Sequence, residues 1–204
     1  MLDLSIASLA SAHDGFLASL RSSGEGALLD YARETLPDLV AAVGPETEAD
    51  GKSSVTSDIL KVVIPGDEGP FLGTSVASLV GSRRWNGKVR RNYARKIIVP
   101  RADFNQYEAR KHRNVGLTAA GYVVAARELG ITLPAWIAEH ASEGDFRIEL
   151  AGDVITVNVI NAVPWAAYLP GALARTGYAI HVKSGKLYDL CAAAMDGAAA
   201  ERGF

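Results

Sequence analysis

Hydrophobic positions at the start of the chain recur at three- and four-residue steps. Leu4, Ala7, Leu9, Phe16, Leu17 and Leu20 predict an amphipathic helix over residues 4–20, with a break at Ser22-Ser23-Gly24. Residues 26–43 repeat the pattern with Leu28, Leu29, Tyr31, Leu36, Leu39 and Val40, and Pro37 predicts a kink or restart within it. The polar, turn-forming run GPETEADGKSS at 44–54 predicts a surface loop. Ile59 to Ile64 is short, apolar and β-branched before Pro65-Gly66, as a strand is; FLGTSVASLVGS, which follows, fits a short helix or a strand equally.

A basic, loop-like segment centred on Asn86-Gly87 leads into the β-branched triplet Ile97-Ile98-Val99 and Pro100. Arg101 to Leu129 then predicts the longest helix, its inner face formed by Phe104, Tyr107, Val115, Leu117, Tyr122, Val123 and Ala126, and Gly130 supplies a C-terminal stop. A short helix is expected from Pro134 to about His140. FRIEL and VITVNVI, joined by Ala151-Gly152-Asp153, predict a β-hairpin over Phe146 to Ile160. Beyond Pro164 the Ala-rich chain to Ala200 predicts one helix, long or interrupted near Pro170-Gly171, Gly177 or Gly185. Together these elements predict an α+β fold in which long central and C-terminal helices pack on a small, mostly antiparallel sheet.

Length supports one domain over 1–204: a chain of this size with 49% hydrophobic residues buries most of the surface its unfolded form exposes. No apolar run approaches the roughly 20 residues of a membrane span, and Asp3, His13 and Asp14 interrupt the first apolar stretch, so neither a span nor a signal peptide is expected. The lone Cys191, among alanines, reads as packing, in keeping with a reducing compartment. His13, His112, His140 and His181 are scattered, and none stands at metal-ligand spacing from a cysteine or carboxylate. No glycine motif forms a phosphate cradle. Neither a catalytic centre, a metal nor a cofactor is therefore expected, although a site built from dispersed residues would leave no such motif.

Charge changes this picture. Between residues 83 and 113 stand eleven basic residues, opposed only by Asp103 and Glu108, a formal +9, while the rest of the chain carries −11. A strip of Arg83, Arg84, Trp85, Lys88, Arg90, Arg91, Arg95, Lys96 and Arg101 is the candidate binding surface. Its cations and interleaved rings suit a phosphate backbone. They equally suit the acidic remainder of a neighbouring copy, a head-to-tail contact of the kind that builds rings. A merely solvated charged loop is the third possibility. Trp85 reads as a surface aromatic suited to an interface, whereas Trp136 and Trp165, in apolar contexts, read as core anchors with the indole N–H bonded to a carbonyl.

Three stretches carry a resemblance. The first is the basic segment, the strand ending in Pro100 and the long helix marked by Gly116-Leu117, Gly121-Tyr122, Leu129-Gly130 and Pro134-Ala135-Trp136. The second is the strand that ends in Asn161, Val163, Pro164 and Trp165, and the third is the C-terminal helix. In order and spacing they resemble the tail-completion or minor tail proteins of long-tailed bacteriophages, the Z-like group of head-tail joining proteins, over roughly residues 83–204. The resemblance implies a non-enzymatic virion protein that completes the head-proximal end of a tail or neck. Its implied partners are copies of itself in a ring, other tail or neck proteins and, non-specifically, phage DNA. Its implied location is the virion, with assembly in the host cytoplasm. The rival reading is a cytoplasmic nucleic-acid-binding protein that uses the strip over 83–113.

Overall fold

In the computed structural model, which describes residues 6–66, 84–85, 88–89, 97–140, 143–152 and 154–201, these patterns become long helices and short strand pairs, an α+β fold. In chain order the elements are α1 (Ile6–Val43), α2 (Glu48–Leu60), β1 (Val63–Gly66), β2 (Arg84–Trp85), β3 (Lys88–Val89), β4 (Ile97–Pro100) and α3 (Arg101–His112). A 3-10 turn (Ala119–Tyr122), α4 (Val123–Glu128), α5 (Ala135–Ala138), β5 (Gly144–Ala151), β6 (Val154–Asn161), a second 3-10 turn (Ala166–Tyr168) and α6 (Ala172–Glu201) follow. They form two compact units: Met1–Gly44 together with Thr118–Phe204, and Pro45–Leu117.

The first unit is built from both ends of the chain. α1, with 38 residues, and α6, with 30, pack antiparallel. Their polar fastenings run in opposite chain directions: Arg175 Nε donates to the Ala42 carbonyl at 2.7 Å, Lys183 Nζ reaches the Glu34 carbonyl and the Asp38 carboxylate, and Ser19 Oγ donates to Glu201. Arg175 thereby satisfies one of the last carbonyls of α1, which no amide of that helix can reach, and places a cation at the negative end of its dipole. Ala32, Leu36, Leu39 and Val43 of α1 join Ala120, Tyr122, Ala126, Leu129 and Ile137 and the α6 residues Ala172 and Ala179 in one core. Arg33 Nε donates to the Leu129 carbonyl, tying α1 to the end of α4.

The expected breaks at Ser22-Ser23-Gly24 and Pro37 are not ends: α1 runs through both. Ser and Gly cost a helix about 1 kcal/mol or less apiece, which a long packed face outweighs, and Pro37 stands on the exposed side. α6 likewise continues through Gly177 and Gly185 and starts after Pro170-Gly171, where Gly171 has φ +75°.

β5 and β6 pair antiparallel in the register Phe146↔Val159, Ile148↔Val157 and Leu150↔Ile155, the expected hairpin. Its alternation puts those six side chains on one face, opposite Arg147, Glu149, Thr156 and Asn158. Phe146, Val157 and Val159 reach the core.

In the second unit β1 and β4 pair in parallel, Val63↔Ile97 through Gly66↔Pro100, with α2 and α3 against them. Ile59, Val63, Val99, Phe104 and Tyr107 form its core. The expected loop over 44–54 is instead the start of α2, and Ile59, expected in a strand, lies in that helix. The cause is the cap. Thr47 Oγ1 accepts from the Asp50 amide at 3.1 Å, and Glu48 and Asp50 place acid in the first turn, where the helix dipole favours it. Gly51 is buried there, and a Cβ at this position would overlap Val115 and Pro45.

The long helix expected over 101–129 is two helices. After α3 the chain turns through Gly116 at φ +92°, a left-handed conformation that glycine adopts without strain, and resumes as the 3-10 turn and α4. The expected inner face is accordingly shared out: Phe104 and Tyr107 belong to the second unit's core, Tyr122 and Ala126 to the first. FLGTSVASLVGS lies outside the described residues.

Thr35 is only 4% exposed, and its Oγ1 has no hydrogen-bond partner among the described residues. A buried orphan hydroxyl costs about 1–3 kcal/mol. Thr35→Val, which keeps the shape and removes the hydroxyl, is expected to raise unfolding stability by about 1 kcal/mol. Urea denaturation measures this as an upward shift in midpoint at constant m-value; an unchanged or lower midpoint contradicts it.

Candidate functional site

The basic segment belongs to the second unit. Residues 45–117 hold thirteen basic and eight acidic side chains, a formal +5, whereas the first unit holds eight basic and fifteen acidic, a formal −7. The opposition of sign seen along the sequence thus coincides with the bounds of the two units.

Of the candidate strip, Arg84, Trp85 and Lys88 lie on β2 and β3, which pair antiparallel as Arg84↔Val89 and Trp85↔Lys88 on either side of Asn86-Gly87. At those positions the expected loop is instead a pair of short antiparallel strands. Arg101 is exposed at the first turn of α3. Arg83, Arg90, Arg91, Arg95 and Lys96 lie outside the described residues. Further along α3, the Arg110 guanidinium and the Lys111 ammonium stand 5.5 and 5.4 Å from the ring centroid of Tyr107. Such cation–ring contacts contribute about 0.5–1 kcal/mol when exposed and hold both cations at the helix surface. Arg110, Lys111 and His112 also occupy the last turn, where the dipole favours positive charge.

A second constellation was not anticipated. Thr56 Oγ1 of α2 donates to Glu108 Oε1 of α3 and stands 3.0 Å from His112 Nε2. One hydroxyl donates only once, so with Glu108 as its acceptor the imidazole Nε2–H donates to the threonine oxygen. The trio fastens α2 to α3. Beside it an open hollow of about 560 Å3 is lined by Ser53, Thr56, Ser57, Leu60 and Lys61. The i, i+4 spacing of Glu108 and His112 was visible in the sequence; their common partner 52 residues earlier was not.

The markers behind the family resemblance converge in the first unit. Asn161, the last residue of β6, donates through Nδ2 to the Thr118 carbonyl at 2.9 Å and accepts the Val163 amide on Oδ1 at 3.1 Å. The Trp165 indole N–H donates to Thr118 Oγ1 at 3.1 Å. Trp165 is 45% exposed, so it is no core anchor, and its partner is a hydroxyl in place of the expected carbonyl. Trp136 does pack on the core. Gly121 must be glycine because a Cβ would overlap the Asn161 amide, and Gly144 at the hairpin base similarly faces the Gly121 carbonyl. Two motifs 40 residues apart in sequence are therefore one joint between the 3-10 turn and the hairpin. Burial pushes the Tyr122 phenol above its ordinary value of 10.0, and a hydrogen bond with the Asn161 side chain works against that shift.

Among the described residues no three His, Cys, Asp or Glu side chains group to hold a metal, and no helix is long and apolar enough to cross a membrane. Comparison with protein-family models, characterised proteins and solved structures gives no significant match.

Asn161→Ala leaves the Val163 amide and the Thr118 carbonyl without their partner and is expected to cost about 2–3 kcal/mol, read as a lower thermal midpoint. Tyr122 generates a pH signature. Its folded state holds the phenol proton more tightly than the unfolded chain, so this stabilisation is complete below the ordinary value and is lost as pH rises through the folded one. Wild type should therefore lose stability more steeply than Tyr122→Phe above pH ~10; equal slopes would show that burial of this phenol carries no such linkage.

Proposed function

We propose that this chain is a structural protein of a tailed bacteriophage, which completes the head-proximal end of the tail or neck so that it joins the head. The observation that carries the reading is the division of charge between the two units, +5 on one and −7 on the other. Such a molecule docks head to tail on copies of itself and on charged neighbours, with fields that set orientation and speed of encounter. The resemblance over residues 83–204 supplies the setting, and the joint at Thr118, Gly121 and Asn161 gives its separated markers one structural reason.

A second reading is favoured by one specific feature, the concentration of thirteen basic residues in the second unit, with aromatic rings among them. It makes the chain a non-specific nucleic-acid binder that holds phosphates by counterion release.

Electron microscopy of lysates separates the two. A phage lacking this gene should accumulate filled heads and separate tails of normal length, and the gene supplied in trans should restore joined particles. Joined, infectious particles without the gene would refute the tail-completion reading. Replacing Arg90, Arg91 and Arg95 together by serine is expected to lower the yield of joined particles. For the second reading, binding to single-stranded DNA must survive near physiological salt and weaken steeply as salt rises.

A further inference from the structure

α6 carries a second seam besides the one that meets α1. Its inner side is marked by the buried Ala172 and Ala179, which belong to the core. On the side away from them, at alternating steps of three and four residues, stand Tyr178, His181, Gly185, Tyr188, Ala192 and Met195, and Ala174 and Ala199 continue the steps at either end. Such a repeat keeps one stripe along a helix and is the spacing by which two helices pack side by side. The stripe is open: Tyr178, Tyr188 and Met195 are 70, 77 and 60% exposed, and a Cβ at Gly185 would meet nothing within 4 Å. Glycine is among the poorest helix residues, and no atom of this molecule demands one at 185.

The stripe is complementary to itself when a second copy runs in the opposite direction. With a two-fold axis between Lys186 and Leu187, Gly185 lies opposite Tyr188, Tyr178 opposite Met195, His181 opposite Ala192 and Ala174 opposite Ala199. The Tyr188 ring then enters the space left by the missing Cβ of Gly185, and the Met195 thioether meets the Tyr178 ring, a favourable sulfur–aromatic contact. A parallel pair would instead set every residue against its own copy, ring on ring at Tyr178 and Tyr188 and void on void at Gly185. Along one edge the antiparallel pair brings Asp196 level with Arg175 of the second copy, and Arg175 is held in place beforehand by its bonds to the Ala42 and Pro170 carbonyls. The two helix dipoles also oppose. From Ala174 to Ala199 the seam is about 39 Å long and about 10 Å wide, so each copy contributes about half of the ~800 Å2 a side of a standard interface.

We propose that the outer seam of α6, from Ala174 to Ala199, is the surface by which this chain pairs, antiparallel, with a second copy of itself. A contact of this kind uses the same patch on both subunits and closes on itself. It makes a dimer and no ring, and it stands whether or not the chain belongs to a phage tail. The modest area sets its dissociation constant in the micromolar range or weaker. The Gly185–Tyr188 layer, which occurs twice beside the axis, is the centre of the contact, where binding energy concentrates.

Sedimentation equilibrium on the full-length chain, loaded up to several hundred micromolar, should show monomer and dimer in exchange. Gly185→Glu should dimerise about a hundredfold less tightly, because its side chain fills the space that Tyr188 needs and brings like charges to the axis. Its thermal midpoint at dilution should be no lower than that of wild type, since glutamate suits a helix better than glycine. Cross-linking in a Cys191→Ala background reads the direction of the pair. Tyr178→Cys and Met195→Cys, mixed and oxidised, should form a disulfide-linked dimer. Neither should do so alone, because in an antiparallel pair the two copies of either position stand about 25 Å apart along the axis, beyond the reach of a disulfide. A wild type that stays monomeric, a Gly185→Glu chain that dimerises as wild type does, a mixture that yields no linked dimer, or Tyr178→Cys that links to itself as readily as to Met195→Cys overturns the proposal.

Discussion

The pairing of α1 with α6 is the constraint on which the larger unit depends. Neither helix has another element long enough to cover it, and the two come from opposite ends of the sequence. Leu36 and Leu39 on one and Ala172 and Ala179 on the other share a core with the 3-10 turn and α4. The stretch Pro45–Leu117 clusters as a separate unit, whose described residues have their own core. Loop-closure entropy grows only slowly with the number of residues spanned, so an insertion of this size is compatible with bringing the two helices together.

This arrangement explains which elements were legible in the sequence. The β5–β6 hairpin was, because strict alternation around Ala151-Gly152-Asp153 is a local signal and the strands pair with each other. The helical character of the chain beyond Pro164 was legible too, but which of Pro170-Gly171, Gly177 and Gly185 interrupts it was left open, and only the first does. What failed depends on partners far along the chain. Ser22-Ser23-Gly24 would end an isolated helix but cannot end one held along its length by α6. The opposite error fell on 101–129, where apolar periodicity carried across Asn114-Val115-Gly116 although the chain there changes from one core to another. α2 was hidden by composition: TEADGKSS is mostly polar, with a single alanine, and only the threonine cap with its acidic first turn marks it as a helix start.

The candidate site was legible in part. The charge strip stood out from residue counts, and its place within the second unit follows once the boundaries at Pro45 and Leu117 are known. Trp165 was misjudged because an apolar neighbourhood in sequence does not fix burial: Pro164 and the following turn carry the ring outward, and its indole N–H ends on Thr118 Oγ1. The partnership of Asn161 with Thr118 and Gly121 had a signal in the sequence, a glycine and an asparagine each within a marked motif. Nothing in a single chain, however, says that two motifs meet.

A monomer whose only task was to fold would fill Gly177 and Gly185 with alanine and replace Tyr188 by a polar residue, since both changes favour the free chain. The joint at Asn161 shows the contrary case, in which a glycine is demanded by an atom of the same molecule. The distinction between the two kinds of glycine is physical. Gly121 is explained by what touches it, whereas Gly177 and Gly185 lie open, with room for a Cβ that no atom of this molecule denies them.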